Sequence, residues 1–265
     1  MNPILLHIWG PFSIHAYGFF IALGACLAVL LAKHDQKLKK ICSFEDFLTA
    51  VQLIVLFGYL GSRILCLISE PHEDSQIASI FKFWEPGLSV QGGIVGAAIA
   101  LYLFVKVKKI PFFPFVDRIA ICTSLVQGFG RLGSFFAGCC YGQKTHLPWA
   151  VTYSHPDHIA PLNITLHPTQ LYSSALLFLT FLLLYFYSQR KNLPPGTIFF
   201  LYLILVSCER FIVDFFRWDQ VWITNQGFLS IFSTNQWISL GIITFGAIGI
   251  TTLYFFTKHK NNGFI

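Results

Sequence analysis

A chain of 265 residues that is 55% hydrophobic, only 11% charged and has a mean hydropathy of +0.63 has too few ionisable groups to coat a soluble globule, which would be nearer a quarter charged. Lipid is therefore its solvent. The net charge of +6 does not mark a nucleic-acid binder, because the basic residues stand singly or in short loops and form no continuous basic face.

The first ten residues lack a basic stretch followed by an apolar core and a small-residue cleavage site, so no removable signal peptide is expected. A bilayer core needs about 20 apolar residues as helix. In chain order, spans are predicted over residues 14–32, 47–68, 88–107, 115–136, 171–187, 197–216 and 237–256. Gln127, Gly128, Gly130, Arg131 and Gly133 interrupt the fourth. Residues 138–170, with Trp149, Tyr153 and four prolines, read as an external lid or peptide-docking arm, or as a plain connecting loop. With no internal repeat or low-complexity linker, the expected architecture is one polytopic membrane domain over residues 1–265. It is all-α, with about seven transmembrane helices.

Alternate loops carry Lys33, Lys37, Lys39 and Lys40, then Lys106, Lys108 and Lys109, then Arg190 and Lys191, then Lys258 and Lys260, which is 11 of the 18 basic residues. The opposite loops hold Lys82 and Lys144 and the acidic Glu70, Glu73 and Asp74. The positive-inside rule then puts the N-terminus outside and the C-terminus in the cytoplasm. Cys26, Cys66, Cys122 and Cys208 lie in apolar runs and read as small membrane hydrophobes rather than a disulfide frame.

The five remaining basic residues, Arg63, Arg118, Arg131, Arg210 and Arg217, lie within or against apolar segments, and all are arginine. A charge at mid-membrane costs roughly 2.5–3.5 kcal/mol on insertion scales. The guanidinium is less hydrated than an ammonium and grips phosphate or carboxylate at two points. Arg118, beside Asp117, reads as structural, and Arg63 either snorkels outward or pairs with Glu70. Arg131, among glycines, and Arg210, between Glu209 and Phe211, favour a functional reading.

The stretch GFGRLGSFFAGCCYG at 128–142 combines close backbone approach with a loosened helix whose free N–H groups can face an anion. Gly92 and Gly96 in QGGIVG have the spacing of helix packing. Adjacent Cys139 and Cys140, without a second ligand pair, make a poor zinc site, and no metal is expected. His167, in HPTQLY at 167–172, is either a proton relay at the water–lipid boundary or simply an interfacial polar residue; the following proline suits a helix start. In ERFIVDFFR at 209–217, Arg210 and Asp214 share a helix face, and Arg217 extends the polar stripe by a turn. From these residues alone, an anion transporter or channel is the rival to an enzyme, with the missing repeat against it.

Taken together, IHAYG at 14–18, SVQGGIVG at 89–96, GRLGSFFAGCCYG at 130–142, HPTQLY and ERFIVDFFR resemble, in order over residues 14–239, the motifs of the bacterial prolipoprotein diacylglyceryl transferase family. The resemblance implies transfer of diacylglyceryl from phosphatidylglycerol to the lipobox cysteine of a prolipoprotein signal peptide, with release of glycerol phosphate. It implies a multi-pass protein of the bacterial inner membrane, with membrane lipids as partners and no cofactor. It places catalytic roles on Arg131, Arg210 and His167, and phosphatidylglycerol contacts on both arginines with Tyr17, Gln91, Gly92, Gly93, Ser134, Gly142, Asp214 and Arg217. This chain departs from many relatives at Gln91 (histidine there), at Ser134 and Ala137 (asparagine), at Cys139 (glutamate) and at Asp214 (glutamate). Gln91 and Cys139 raise the alternative of a non-catalytic lipid-binding homologue. The arginines suit the departing phosphate; His167, His15 or the phosphate itself is the expected acceptor for the thiol proton.

Overall fold

Apolar runs in lipid must satisfy their backbone internally, which makes them helices. The computed structural model describes residues 4–9, 12–69, 89–222 and 230–261. Glu70, Glu73, Asp74, Lys82 and Leu88, which enter the orientation and third-span expectations, lie outside the described residues.

The chain opens with an antiparallel hairpin of β1 (Ile4–Trp9) and β2 (Phe12–His15), paired from Ile4–His15 to Trp9–Phe12. It continues through α1 (Ala16–His34), α2 (Gln36–Lys39), α3 (Phe44–Ser69), α4 (Val90–Val107) and α5 (Phe112–Ala137). After these come β3 (Val151–Thr152), β4 (Thr165–Leu166), α6 (Thr169–Ser188), α7 (Thr197–Asp214) and α8 (Thr234–Asn261). Among the described residues, six helices are long and apolar enough to cross a membrane: α1, α3, α4, α5, α6 and α8. The remaining predicted span is α7, an 18-residue helix that carries Glu209, Arg210 and Asp214. The protein is an all-α membrane protein with two small two-stranded sheets.

Two expectations are corrected. The first helix starts at Ala16 rather than residue 14, because Ile14 and His15 are taken up by pairing with β1. The fourth span is not interrupted: α5 runs unbroken through Arg131, so its glycine amides stay in the helix rather than facing an anion. Gly128 and Gly133 act in packing. A side chain on Gly24 of α1 would meet Phe129, one on Gly128 would meet the Phe178 ring, and one on Gly133 would meet the Tyr17 backbone.

The chain divides into two compact units, Lys33–Phe115 and the remainder, Met1–Ala32 with Val116–Ile265. In the smaller unit α3 and α4 pack backbone to backbone. A Cβ on Gly92 would overlap the Gly61 carbonyl oxygen, and one on Gly96 the Phe57 carbonyl oxygen. Such close approach lets dispersion act where lipid offers no hydrophobic drive. At its ends the unit is fastened by Lys108 to Asp46 (2.7 Å) and by the Ser89 amide to the Ser62 carbonyl (3.1 Å). Arg63 is buried here, 4% exposed, so it does not snorkel.

In the larger unit the burial pattern is inverted, as lipid demands. Leu179, Leu182, Leu183 and Phe186 of α6 and Phe245 and Ile248 of α8 face outward, while Ser173, Ser174, Thr180, Ser207, Glu209, Asp214 and Ser239 are buried. Ile121, Leu184 and Ile198 join α5, α6 and α7. Buried Asp117 of α5 accepts hydrogen bonds from the Gly196 amide (2.8 Å) and the Phe199 amide (2.7 Å), so its carboxylate caps the N-terminus of α7.

Candidate active site

The site of the larger unit begins where α5 stops. Gly138, at φ +70°, ends the helix in a Schellman motif: its amide donates to Phe135 and the Cys139 amide to Ser134. This turn ejects Cys139, Cys140 and Gly142 from the helix one turn beyond Ser134. At Gly142 three segments meet. Its amide donates to the His167 carbonyl (3.1 Å), the Gln143 amide donates to the Phe216 carbonyl (2.8 Å), and Gly142 bridges to Arg217. A Cβ on Gly142 would lie 2.6 Å from His167 Cβ and 2.7 Å from the Phe216 carbonyl oxygen, so no side chain fits. The glycine signature, the HPTQLY segment and the end of α7 are thereby stitched into one place.

Thr169 and Gln170, at the start of α6, tighten the join. Thr169 Oγ1 donates to the Cys140 carbonyl (2.8 Å) and Gln170 Nε2 to the Cys139 carbonyl (2.7 Å). Thus HPTQ is more than a helix start; its polar pair holds the cysteine loop. The Ser134 hydroxyl donates back to the Gly130 carbonyl of its own helix (3.1 Å).

Five charged side chains interact electrostatically around this point: Arg131, Glu209, Arg210, Asp214 and Arg217. Glu209, 4% exposed, accepts a hydrogen bond from Ser173. Asp214 is fully buried, accepts from Ser233 and from Asn235 (3.3 Å), and lies 3.8 Å from Arg210 Nη2. The expected Arg210–Asp214 face is therefore present. Arg217 does not extend that helical stripe, because α7 ends at Asp214 and Arg217 follows a turn. Its guanidinium instead makes a bidentate pair with Asp219, Nε–Oδ1 2.7 Å and Nη2–Oδ2 2.5 Å. That pair holds the Asp219 carboxyl below the usual range, by hydrogen bonding first and charge second.

The arginines therefore differ in what remains open. Arg217 is held by Asp219 in a bidentate pair. Arg210 has one long ion pair at 3.8 Å, and among the described residues Arg131 makes no hydrogen bond or ion pair. Two guanidinium forks in mutual electrostatic reach, with donors to spare, are a receptor for an anion with several oxygens.

His167 is half-buried; its ring packs on Phe216 at 5.3 Å and its Nδ1 lies 3.3 Å from the Tyr172 hydroxyl, which also accepts from Trp149 Nε1 (2.7 Å). Burial pushes the imidazole below its ordinary pKa, so it is neutral at pH 7. Beside it a cavity of about 350 Å³ is lined by Leu147, Trp149, Tyr172, Leu176, Ile212 and Val213. Tyr17, half-exposed at the start of α1, lies in electrostatic reach of Arg131 and of both cysteines. Gln91, Gly92 and Gly93 belong to the smaller unit: Gln91 accepts from the capping Ser89 hydroxyl (3.1 Å), and Gly92 seats α4 on α3. A Cβ on Gly93 would make ordinary contact with the Gly58 carbonyl oxygen at 3.5 Å.

Sequence reasoning missed Glu209, Asp219 and the cysteines as members of the cluster. Only Glu209 carried a signal, as a second buried acid beside Arg210. Among the described residues no three His, Cys, Asp or Glu side chains converge as metal ligands.

A family model described as prolipoprotein diacylglyceryl transferase matches residues 3–252. The phosphatidylglycerol–prolipoprotein diacylglyceryl transferase of Clostridium tetani is 38% identical over 247 residues, covering 93% of this chain and 95% of the relative. A second such enzyme, from Clostridium perfringens, is 34% identical over 262 residues, with 98% and 97% covered. That of Trichormus variabilis is 30% identical over 263 residues, with 96% and 90% covered.

Proposed function

The chain belongs to the prolipoprotein diacylglyceryl transferase family, and from that membership we propose that it moves the diacylglyceryl group of phosphatidylglycerol to the lipobox cysteine of a prolipoprotein signal peptide. It is a transferase. Its carbon–sulfur bond forms as the bond to phosphate oxygen breaks, and glycerol phosphate leaves. The observation that carries this reading is the open donor capacity of Arg131 and Arg210 beside Arg217, which Asp219 holds in a bidentate pair.

Charge accumulates on the phosphate as it departs. Preorganised guanidinium donors in a site shielded from water stabilise that charge more than bulk water does. Glu209 and Asp214 offset the repulsion between the arginines, so the cations persist unliganded. Arg217, locked to Asp219, is a positioning residue. The attacking thiol, with an ordinary pKa near 8.5, must lose a proton. Neutral His167 is the acceptor we assign, and the apolar cavity beside it suits the hydrophobic segment that bears the cysteine. Tyr17, Ser134 and Gly142 complete the phosphatidylglycerol side. The proposed topology is seven spans in the bacterial inner membrane as one domain, with the N-terminus outside, the C-terminus cytoplasmic, and residues 138–170 an external arm.

Purified protein in phosphatidylglycerol micelles with a lipobox peptide tests this. Arg210→Gln and Arg131→Gln should each lower glycerol phosphate release about 100- to 1000-fold, the usual loss for one preorganised anion donor. Thioether formation at wild-type rate in either variant overturns the assignment.

A further inference from the structure

Cys139 and Cys140 are adjacent in sequence, free and half-buried, and they stand where their backbone is most firmly held. Both carbonyls are occupied, by Gln170 and Thr169, and Cys140 is fixed at φ +59°. Cys139 Sγ reaches the Ser134 carbonyl at 3.7 Å, the two thiols lie in electrostatic reach of each other, and Cys140 lies in electrostatic reach of Arg217. These contacts present a rigid pair of sulfurs at the edge of the arginine cluster.

We propose that Cys139 and Cys140 form a bidentate site for a trivalent thiophilic metalloid, of the arsenite or organoarsenical class, whose occupation blocks the arginine cluster. A direct disulfide fits poorly. Adjacent Cα atoms lie about 3.8 Å apart, against about 4.4–6.8 Å for relaxed disulfides. One larger atom bridging both sulfurs removes that strain. The neighbouring Cys139, together with Arg217 and Arg131, also holds the Cys140 thiol below the usual range against the effect of burial, so one sulfur is a ready nucleophile. With phenylarsine oxide the balance is simple. Two arsenic–sulfur bonds form, the arsenic–oxygen bond breaks, both thiol protons leave with that oxygen as water, and nothing is oxidised or reduced. Bound to arsenic, neither sulfur can ionise, and the added group lies beside Arg217 and Arg131.

Uptake is independent of the proposed reaction; the block on transfer rests on it. Phenylarsine oxide added to the intact protein in micelles should give one adduct per chain by mass. It should protect Cys139 and Cys140 together from N-ethylmaleimide, while Cys26, Cys66 and Cys208 remain alkylated. Transfer should fall at least 10-fold and recover with 2,3-dimercaptopropanol. Cys139→Ser and Cys140→Ser should each lose the monothiol-resistant adduct, and the protection map on wild-type protein decides the point if either variant folds poorly. Absent uptake, or protection of other cysteines, overturns the site. Uptake without loss of transfer overturns its coupling to the arginines. If untreated protein shows no transfer, the function reading fails while the adduct still tests the site.

Discussion

The two glycine-rich motifs look alike in sequence and do opposite work. In SVQGGIVG the glycines bring the backbones of α3 and α4 together, with Gly92 on Gly61 and Gly96 on Phe57, and the product is a helix pair. In GRLGSFFAGCCYG the decisive glycines lie at and beyond the helix end, where Gly138 turns the chain and Gly142 admits His167 and Phe216. One motif removes side chains to pack two helices. The other removes them so that three distant segments, each carrying polar groups, share one point.

That contrast can be broken by substitution. Gly92→Ala should cost the α3–α4 pair about 1–3 kcal/mol or more, because the clashing neighbour is backbone and cannot rotate away. Gly142→Ala should lower transfer about 10- to 100-fold with a smaller loss of thermal stability, since it displaces the His167 and Phe216 junction. Thermal melts and thioether formation measured on both variants separate the two roles; equal loss of stability and activity in both would erase the distinction. A smaller effect sharpens it. Asp219→Asn should reduce transfer several-fold by releasing Arg217, with less than about 1 kcal/mol of stability lost because Asp219 is largely exposed. The sign with pH follows from the lowered carboxyl. The pair stabilises the protein above the ordinary carboxyl range, and that contribution fades as pH falls through the lowered value. Melts of wild type and Asp219→Asn should therefore converge below about pH 4. Smallest of all, Gly130→Ala, which meets open space, and Gly93→Ala, which meets only ordinary contact, should shift stability by about 1 kcal/mol or less.

Much of the frame was legible because lipid imposes length and polarity on every span. The fifth predicted span, 171–187, is α6, which runs Thr169–Ser188, and the i,i+4 pairing of Arg210 with Asp214 follows from helix geometry. Contacts between distant segments were not legible. Asp117 reads as the neighbour of Arg118, yet it caps a helix 79 residues away. Arg217 read as the next turn of a stripe, but a turn after Asp214 hands it to Asp219. The continuity of α5 through its glycines also escaped local reasoning, because Phe178, Phe129 and Tyr17 supply the packing that glycine propensity lacks.

The Asp117 cap also sets a length. Arg131 lies 14 residues beyond Asp117 on α5, and Arg210 lies 14 residues beyond Gly196 on α7. At about 1.5 Å per residue both are about 21 Å from the same pin. One buried carboxylate therefore fixes the starting point from which both guanidinium-bearing positions are measured, and the helical rise does the rest.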